Sequence, residues 1–216
     1  MKAYYLILLA FVFATISCGN KEKAVEGTDA KTVASGEGQH LAVDLSQSSI
    51  NWTGSKVGGS HHGTLGLKSG ELVVKGDTLV SGNFVLDINN IVDEDLTDAK
   101  MNEMLVTHLK SADFFDVANH PEGKFEVTST EVVTGNDSIT HRISGNLTLK
   151  GVDKNITFAA KITKDGDLYK AVTLPFVIDR TQWGVNFGSK SVFANLKDKI
   201  VDDNIGIQIT IVAKAE

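Results

Sequence analysis

The stretch Ile139-Thr140-His141-Arg142-Ile143-Ser144-Gly145-Asn146-Leu147-Thr148-Leu149-Lys150 puts Ile139, His141, Ile143, Gly145, Leu147 and Leu149 on one face and the polar residues between them on the other. Alternation with period two is the mark of a strand with one apolar side and one solvated side. Working outward, Phe84, Leu86 and Ile88 repeat it, as do Ile156, Phe158, Ala160 and Ile162, then Val172, Leu174, Phe176 and Ile178, and finally Ile205, Ile207, Ile209 and Ile211. Turn residues fall between the runs at Gly76-Asp77, Gly135-Asn136-Asp137, Gly151-Val152-Asp153 and Asp165-Gly166-Asp167. With 20 Gly against 2 Pro, the composition suits many tight turns between strands, and the expected class is all-β, a barrel or sandwich with hairpin connections. The polar faces carry Lys and Arg, and aromatic residues make up only 7% of the chain. Both features argue against a barrel facing lipid with its outer side, so the barrel is read as apolar within and polar without.

One helix is expected among the strands, near residues 97–110. Met101, Met104, Leu105, His108 and Leu109 form a stripe at helical spacing. Thr97 is the expected N-cap, with Asp98 in the first turn favoured by the helix dipole.

The chain begins with Lys2 and an apolar run from Ala3 to Ile16. That run is shorter than the roughly 20 residues a helix needs to cross about 30 Å of hydrocarbon, so residues 1–17 read as an export signal. Thr15-Ile16-Ser17-Cys18-Gly19 resembles a bacterial lipobox, with Thr15 in place of the usual Leu, and makes Cys18 the expected lipidation site and membrane anchor. Cys18 is the only cysteine, so no intrachain disulfide can form. Residues 18–39 are polar, Gly-rich and free of aromatics, the composition of a flexible tether. The expected location is the bacterial cell envelope, facing the periplasm, and Gly19 rather than Asp after the cysteine favours the outer membrane. Without the leader, 20 basic residues stand against 27 acidic ones, a balance of −7. That balance disfavours nucleic acid as a partner.

Two segments carry a family resemblance. His108-Leu109-Lys110-Ser111-Ala112-Asp113-Phe114-Phe115-Asp116-Val117, closed at Pro121, and Gly145-Asn146-Leu147-Thr148-Leu149-Lys150-Gly151-Val152-Asp153-Lys154 resemble the signature of the YceI-like family. The resemblance implies a periplasmic antiparallel, lipocalin-like barrel of about eight strands over residues 40–216 that binds long apolar chains such as polyisoprenoids. It also implies that residues 101–115 lie beside the cavity, and Asp179-Arg180-Thr181-Gln182-Trp183-Gly184 matches a further family motif.

A closed sheet of about eight strands is just wide enough to be filled by side chains or to hold one small ligand. Large residues followed by small ones on one face, Ile143 then Gly145 and Phe158 then Ala160, fit either a channel or the taper of a filled barrel. The resemblance favours the channel. Candidate lipid-binding wall residues are Trp52, Phe84, Leu86, Phe125, Ile143, Phe158 and Phe176, with Leu105, Leu109, Phe114 and Trp183 at the mouth; any of them also suits an ordinary core. His62, His141 and Arg180 are head-group candidates. Arg180 reads first as an ion-pairing residue that fixes its loop. His61 and His62 are adjacent and point to opposite sides of a strand, and the other histidines lack metal-ligand spacing. No metal site, cofactor or catalytic constellation is assigned.

Three functions are expected in order: an envelope lipoprotein that carries or stores a polyisoprenoid, an isoprenoid quinone or an acyl chain; a stress-related or structural barrel with a filled core; and an enzyme acting on such lipids. Outward strand faces show no continuous apolar patch, so the sequence does not point to an oligomeric state.

Overall fold

A computed structural model describes residues 23–76, 78–196 and 199–215, and the leader and Cys18 lie outside them. Ten strands and one α-helix follow in order: β1 Gln39–Val43, β2 Ser49–Lys56, β3 Gly59–Lys75, β4 Thr78–Asp93, α1 Ala99–Lys110, β5 Glu122–Val132, β6 His141–Leu149, β7 Val152–Asp165, β8 Leu168–Thr173, β9 Phe176–Asp179 and β10 Val201–Ala215. All pairings are antiparallel. The neighbours run β10-β2-β3-β4-β5-β6-β7-β8 and return to β10, which closes the ring.

Two positions of this ring are shared by pairs of short strands. On one edge of β10, β2 pairs with residues 201–210 and β1 with residues 213–215; on the other, β9 pairs with residues 204–207 and β8 with residues 210–214. The ring is therefore eight strands wide, as expected. Between β1 and β2 the chain turns at Asp44, whose carboxylate accepts from the Ser46 N–H, the Ser46 hydroxyl and the Gln47 amide. Between β8 and β9 it breaks at Leu174-Pro175, where proline offers no N–H to a ladder.

The break at Pro175 corrects one face read from sequence. Tyr169, Ala171 and Thr173 point inward on β8, Phe176 and Ile178 point inward on β9, and Leu174 is exposed. Val172 and Leu174 therefore lie outside: the two residues at the break shift the parity of everything upstream. The other four faces are inward as read. The β6–β7 turn also differs from expectation. It consists of Lys150 and Gly151, both at positive φ (49° and 74°), with Leu149 paired to Val152. Such a two-residue turn matches the twist of the strands it joins.

The inner face is dominated by aliphatic residues and by a run of rings. Phe158 stacks on Phe176 at 4.8 Å and meets Phe125 at 5.4 Å, while Phe125 lies 6.3 Å from Phe84. Gly145 lies against this run; a Cβ there would overlap the Phe125 ring, so the small residue makes room for the large one across the ladder.

The sheet has one open seam. β8 pairs with β7 only over residues 160–165, which leaves the first part of β7 facing β9 without a partner strand. The N-terminal segment fills this gap. Val25 N–H donates to Val177 O at 2.7 Å, Thr28 and Asn155 exchange backbone hydrogen bonds at 2.9 Å each, and Asn146 holds Lys31 through both its amide groups. Ala34 N–H then reaches Val127 O at 2.8 Å, beside the irregularity between Val127 and Ser129. The described part of the expected flexible tether is thus docked. Its composition promised no apolar core, but unpaired strand edges and two outward asparagines, Asn146 and Asn155, satisfy its backbone instead.

Trp183, in the one-turn 3-10 helix after β9, is 1% exposed and donates its indole N–H to Leu147 O at 2.9 Å. It is a structural residue of the core, not of the mouth. Trp183→Ala is expected to destabilise the protein by about 3–5 kcal/mol, read as a lowered midpoint in urea denaturation.

Candidate functional site

Helix α1 covers one end of the barrel. Asp98, rather than Thr97, is its N-cap and accepts from Met101 N–H at 2.9 Å. Its covered face is Asn102, Leu105, Val106 and Leu109, while Met101 and Met104 are 53% and 58% exposed. The stripe is rotated from the one read in the sequence because Asn102 anchors it: the Asn102 amide donates to Asp93 O, Asp93 Oδ1 and Leu96 O. A polar residue at an inward position does not register in a hydrophobic stripe.

After the helix, the chain folds back tightly. Phe115 N–H donates to Leu109 O and Val117 N–H to Lys110 O, with Asp116 at positive φ. This turn delivers Phe114 to an aromatic cluster in which the His108 ring meets Phe114 edge-on at 5.2 Å and Phe187 at 4.5 Å. The Arg180 guanidinium sits over Phe114 at 5.6 Å.

Beneath this cover lies a cavity of about 420 Å³, within the range typical of small-molecule sites. Its walls are mainly aliphatic: Ile50, Leu65, Ile88, Ile91, Leu149, Ile178, Ile205 and Ile207, with Trp52 beside them. Leu105, His108, Leu109, Phe114, Phe115 and Phe187 close it on the helix side, and His61, Lys56, Arg180 and Lys199 supply polar groups. A second, smaller space of about 80 Å³ occupies the opposite end of the barrel, toward the β3–β4 and β7–β8 turns. Ile50 borders both.

The residues picked from sequence divide between these spaces. Trp52, Leu105, Leu109 and Phe114 line the larger cavity; Phe84, Leu86, Phe125, Ile143 and Phe158 line the smaller one. Phe176 lines neither and is buried against Phe158. Among the residues of the larger cavity that the sequence reading does not single out, Ile88, Leu149, Ile178, Ile205 and Ile207 sit on inward faces or at their ends. The signal was present, but large aromatics drew the choice toward the filled end of the barrel.

The head-group candidates are also redistributed. His62 is exposed and its ring lies outside both cavities; its neighbour His61 lines the larger one. His141 is 5% exposed, lines neither cavity, and has Nδ1 2.8 Å from the Thr140 hydroxyl while Nε2 has no partner among the described residues. Arg180 does border the cavity, but its donors are engaged: Nε to Asp202 O, Nη1 to Val185 O, and Nη2 to Val201 O and Asp203 Oδ1. Burial lowers its pKa and the carboxylates of Asp203, Asp179 and Asp202 oppose that shift; the group stays charged. Its hydrogen bonds tie the loop after β9 to the start of β10.

Beside His61, Asp95 is held down to about 2 chiefly by the His62 backbone N–H, 2.8 Å from Oδ1, against some desolvation and with help from the His61 ring and the Asp93 side chain.

The YceI-like domain matches this chain over residues 41–213. The chain belongs to the YceI-like family. Among curated relatives, a UPF0312 protein of Pseudomonas aeruginosa is 48% identical over 60 residues, and Protein YceI of Salmonella arizonae is 47% identical over 60 residues. Each alignment spans 28% of this chain and 29% of the relative's length. Among solved structures, Burkholderia cenocepacia BcnA superposes with a TM-score of 0.63 at 21% identity, covering 80% of this chain and 99% of BcnA. A polyisoprenoid binding domain from Saccharophagus degradans, implicated in plant cell wall breakdown, gives 0.59 at 13% identity, covering 86% of this chain and all of that domain. At these identities the likeness is one of fold.

Burial lowers the pKa of His141 below its ordinary 6.5, so the unfolded chain takes up a proton first as pH falls. Stability is therefore expected to fall as pH drops through 6.5 toward the folded value and then to level off with respect to this group. His141→Phe should flatten that part of the profile, measured by urea denaturation between pH 8 and pH 5.

Proposed function

We propose that this protein binds one long apolar lipid, a polyisoprenoid, an isoprenoid quinone or an acyl chain, in the 420 Å³ cavity under α1, and that it does so as an envelope lipoprotein anchored through Cys18. The observation that carries the reading is the lining: isoleucines and leucines from six strands and the helix, which outnumber the polar groups of His61, Lys56, Arg180 and Lys199. Such a surface holds a hydrocarbon by area burial, at about 25 cal/mol per Å² removed from water, and asks for no directional partner along the chain. The Saccharophagus degradans domain of the same fold, named for polyisoprenoid binding, supports the same ligand class. The function is one of carriage or storage, since nothing in the lining requires a reaction of the bound chain.

Protein purified from its native envelope in mild detergent should yield, on organic extraction and mass spectrometry, a stoichiometric apolar molecule. Ile88→Trp, which places an indole in the cavity, should lose it while keeping the wild-type circular dichroism spectrum. Absence of any such molecule from the wild-type protein would instead favour the barrel as a structural module.

Anchoring is tested separately. Cys18→Ala should move the protein from the membrane fraction to the soluble fraction on cell fractionation, and unchanged membrane association would remove the lipid anchor from this reading.

A further inference from the structure

Where β4 ends and the chain turns toward α1, three potential ligand atoms come together. His61 on β3, Asp93 at the end of β4 and Asp95 in the following loop each offer one, and these atoms lie within 4.8 Å of one another. His61 Nδ1 is 3.0 Å from Asp95 Oδ2.

The two carboxylates are held in the same way. Asp95 Oδ1 accepts from the His62 N–H at 2.8 Å, which leaves Oδ2 for His61. Asp93 Oδ1 accepts from the Leu96 N–H at 3.0 Å and from the Asn102 amide at 3.1 Å. Asp93 Oδ2 has no hydrogen-bond partner among the described residues, although Asp93 is only 4% exposed. A buried carboxylate oxygen without a donor is costly, and no lysine or arginine among the described residues ion-pairs with either aspartate. One oxygen of each carboxylate is thus oriented by backbone and amide donors while the other faces the cluster, Asp95 Oδ2 toward the His61 ring and Asp93 Oδ2 without a donor, the arrangement in which surrounding groups hold metal ligands.

We propose that His61, Asp93 and Asp95 form a binding site for a divalent cation of the zinc type at the rim of the large cavity. One imidazole and two carboxylates suit Zn²⁺, whose bonds of about 2.0–2.1 Å at tetrahedral angles separate ligand atoms by about 3.3 Å, close to the His61–Asp95 spacing. Binding requires His61 to present Nδ1 unprotonated, with its proton on Nε2. Two carboxylates balance the charge of the ion and relieve the orphaned oxygen of Asp93. Three protein ligands leave a fourth position open, and because His61 also lines the cavity, the ion sits beside the space assigned to the lipid. The site stands on its own geometry and does not depend on that assignment.

The test is isothermal titration of ZnCl₂ into the full-length protein after stripping with EDTA and removal of bound lipid. One Zn²⁺ per chain is expected, with His61→Ala and Asp95→Asn each weakening binding by at least about tenfold, and with His40→Ala, on β1 beside Glu71 at the far end of β3, leaving it unchanged. Co²⁺ in place of Zn²⁺ gives a check on the wild-type protein alone, because a ligand-field spectrum of nitrogen and oxygen ligation needs no variant to fold. Absence of stoichiometric uptake, or uptake undiminished in both variants, would overturn the site and leave the three residues as a hydrogen-bonded cluster. Neither result bears on whether the cavity yields a lipid on extraction.

Discussion

Everything inside this protein depends on β10 being hydrogen-bonded along both edges. Four strands share those edges, β1 and β2 on one side, β8 and β9 on the other, and their pairing turns an open sheet into a ring. Closure removes the free edges that would invite pairing with other chains. It also fixes an interior just large enough for side chains or one ligand. At one end, the rings of Phe84, Phe125, Phe158 and Phe176 take up most of that interior. At the other end the inward residues are isoleucines and leucines, and they do not meet across it.

The size of the resulting cavity bears on its purpose. Unfilled apolar space forgoes packing contacts in proportion to its volume, and here about 420 Å³ of mainly aliphatic-lined space is left without them. A sequence selected only for stability would fill that space by changing aliphatic side chains to aromatic ones, as it does at the other end. An apolar ligand of the proposed kind would supply the missing contacts and so stabilise the folded state.

How much of this was legible in the sequence follows from what each signal depends on. Strand faces depend on side-chain period alone, so Phe84 to Ile88, Ile139 to Leu149, Ile156 to Ile162 and Ile205 to Ile211 were read correctly. The family signature brought the barrel and the cavity-side position of α1 with it. Errors arose where a polar interaction or a chain break set the geometry: Asn102 turned the helix so that Met101 and Met104 face outward, Pro175 shifted the parity of Val172, and strand edges captured a segment that composition marked as a tether. The exchange of His62 for His61 at the cavity is of the same kind. Two adjacent residues on a strand face opposite ways, and only the register of β3 with β2 and β4 decides which one points in.

Arg180 holds the shape of the open end. The β2–β10 register slips between Val201 and Ile205, leaving carbonyls at the start of β10 outside the ladder. Arg180 donates to those of Val201 and Asp202 and, in the other direction, to Val185. One buried cation therefore ties the irregular start of β10 to the loop that carries Phe187, and stacks on Phe114 from the turn after α1. Because its donors reach the carbonyls of Val201, Asp202 and Val185 and the carboxylate of Asp203, the guanidinium is satisfied within the protein. With the mouth held by the protein's own hydrogen bonds, the proposed binding of an apolar molecule would draw its energy from hydrocarbon contacts rather than from ordering the mouth.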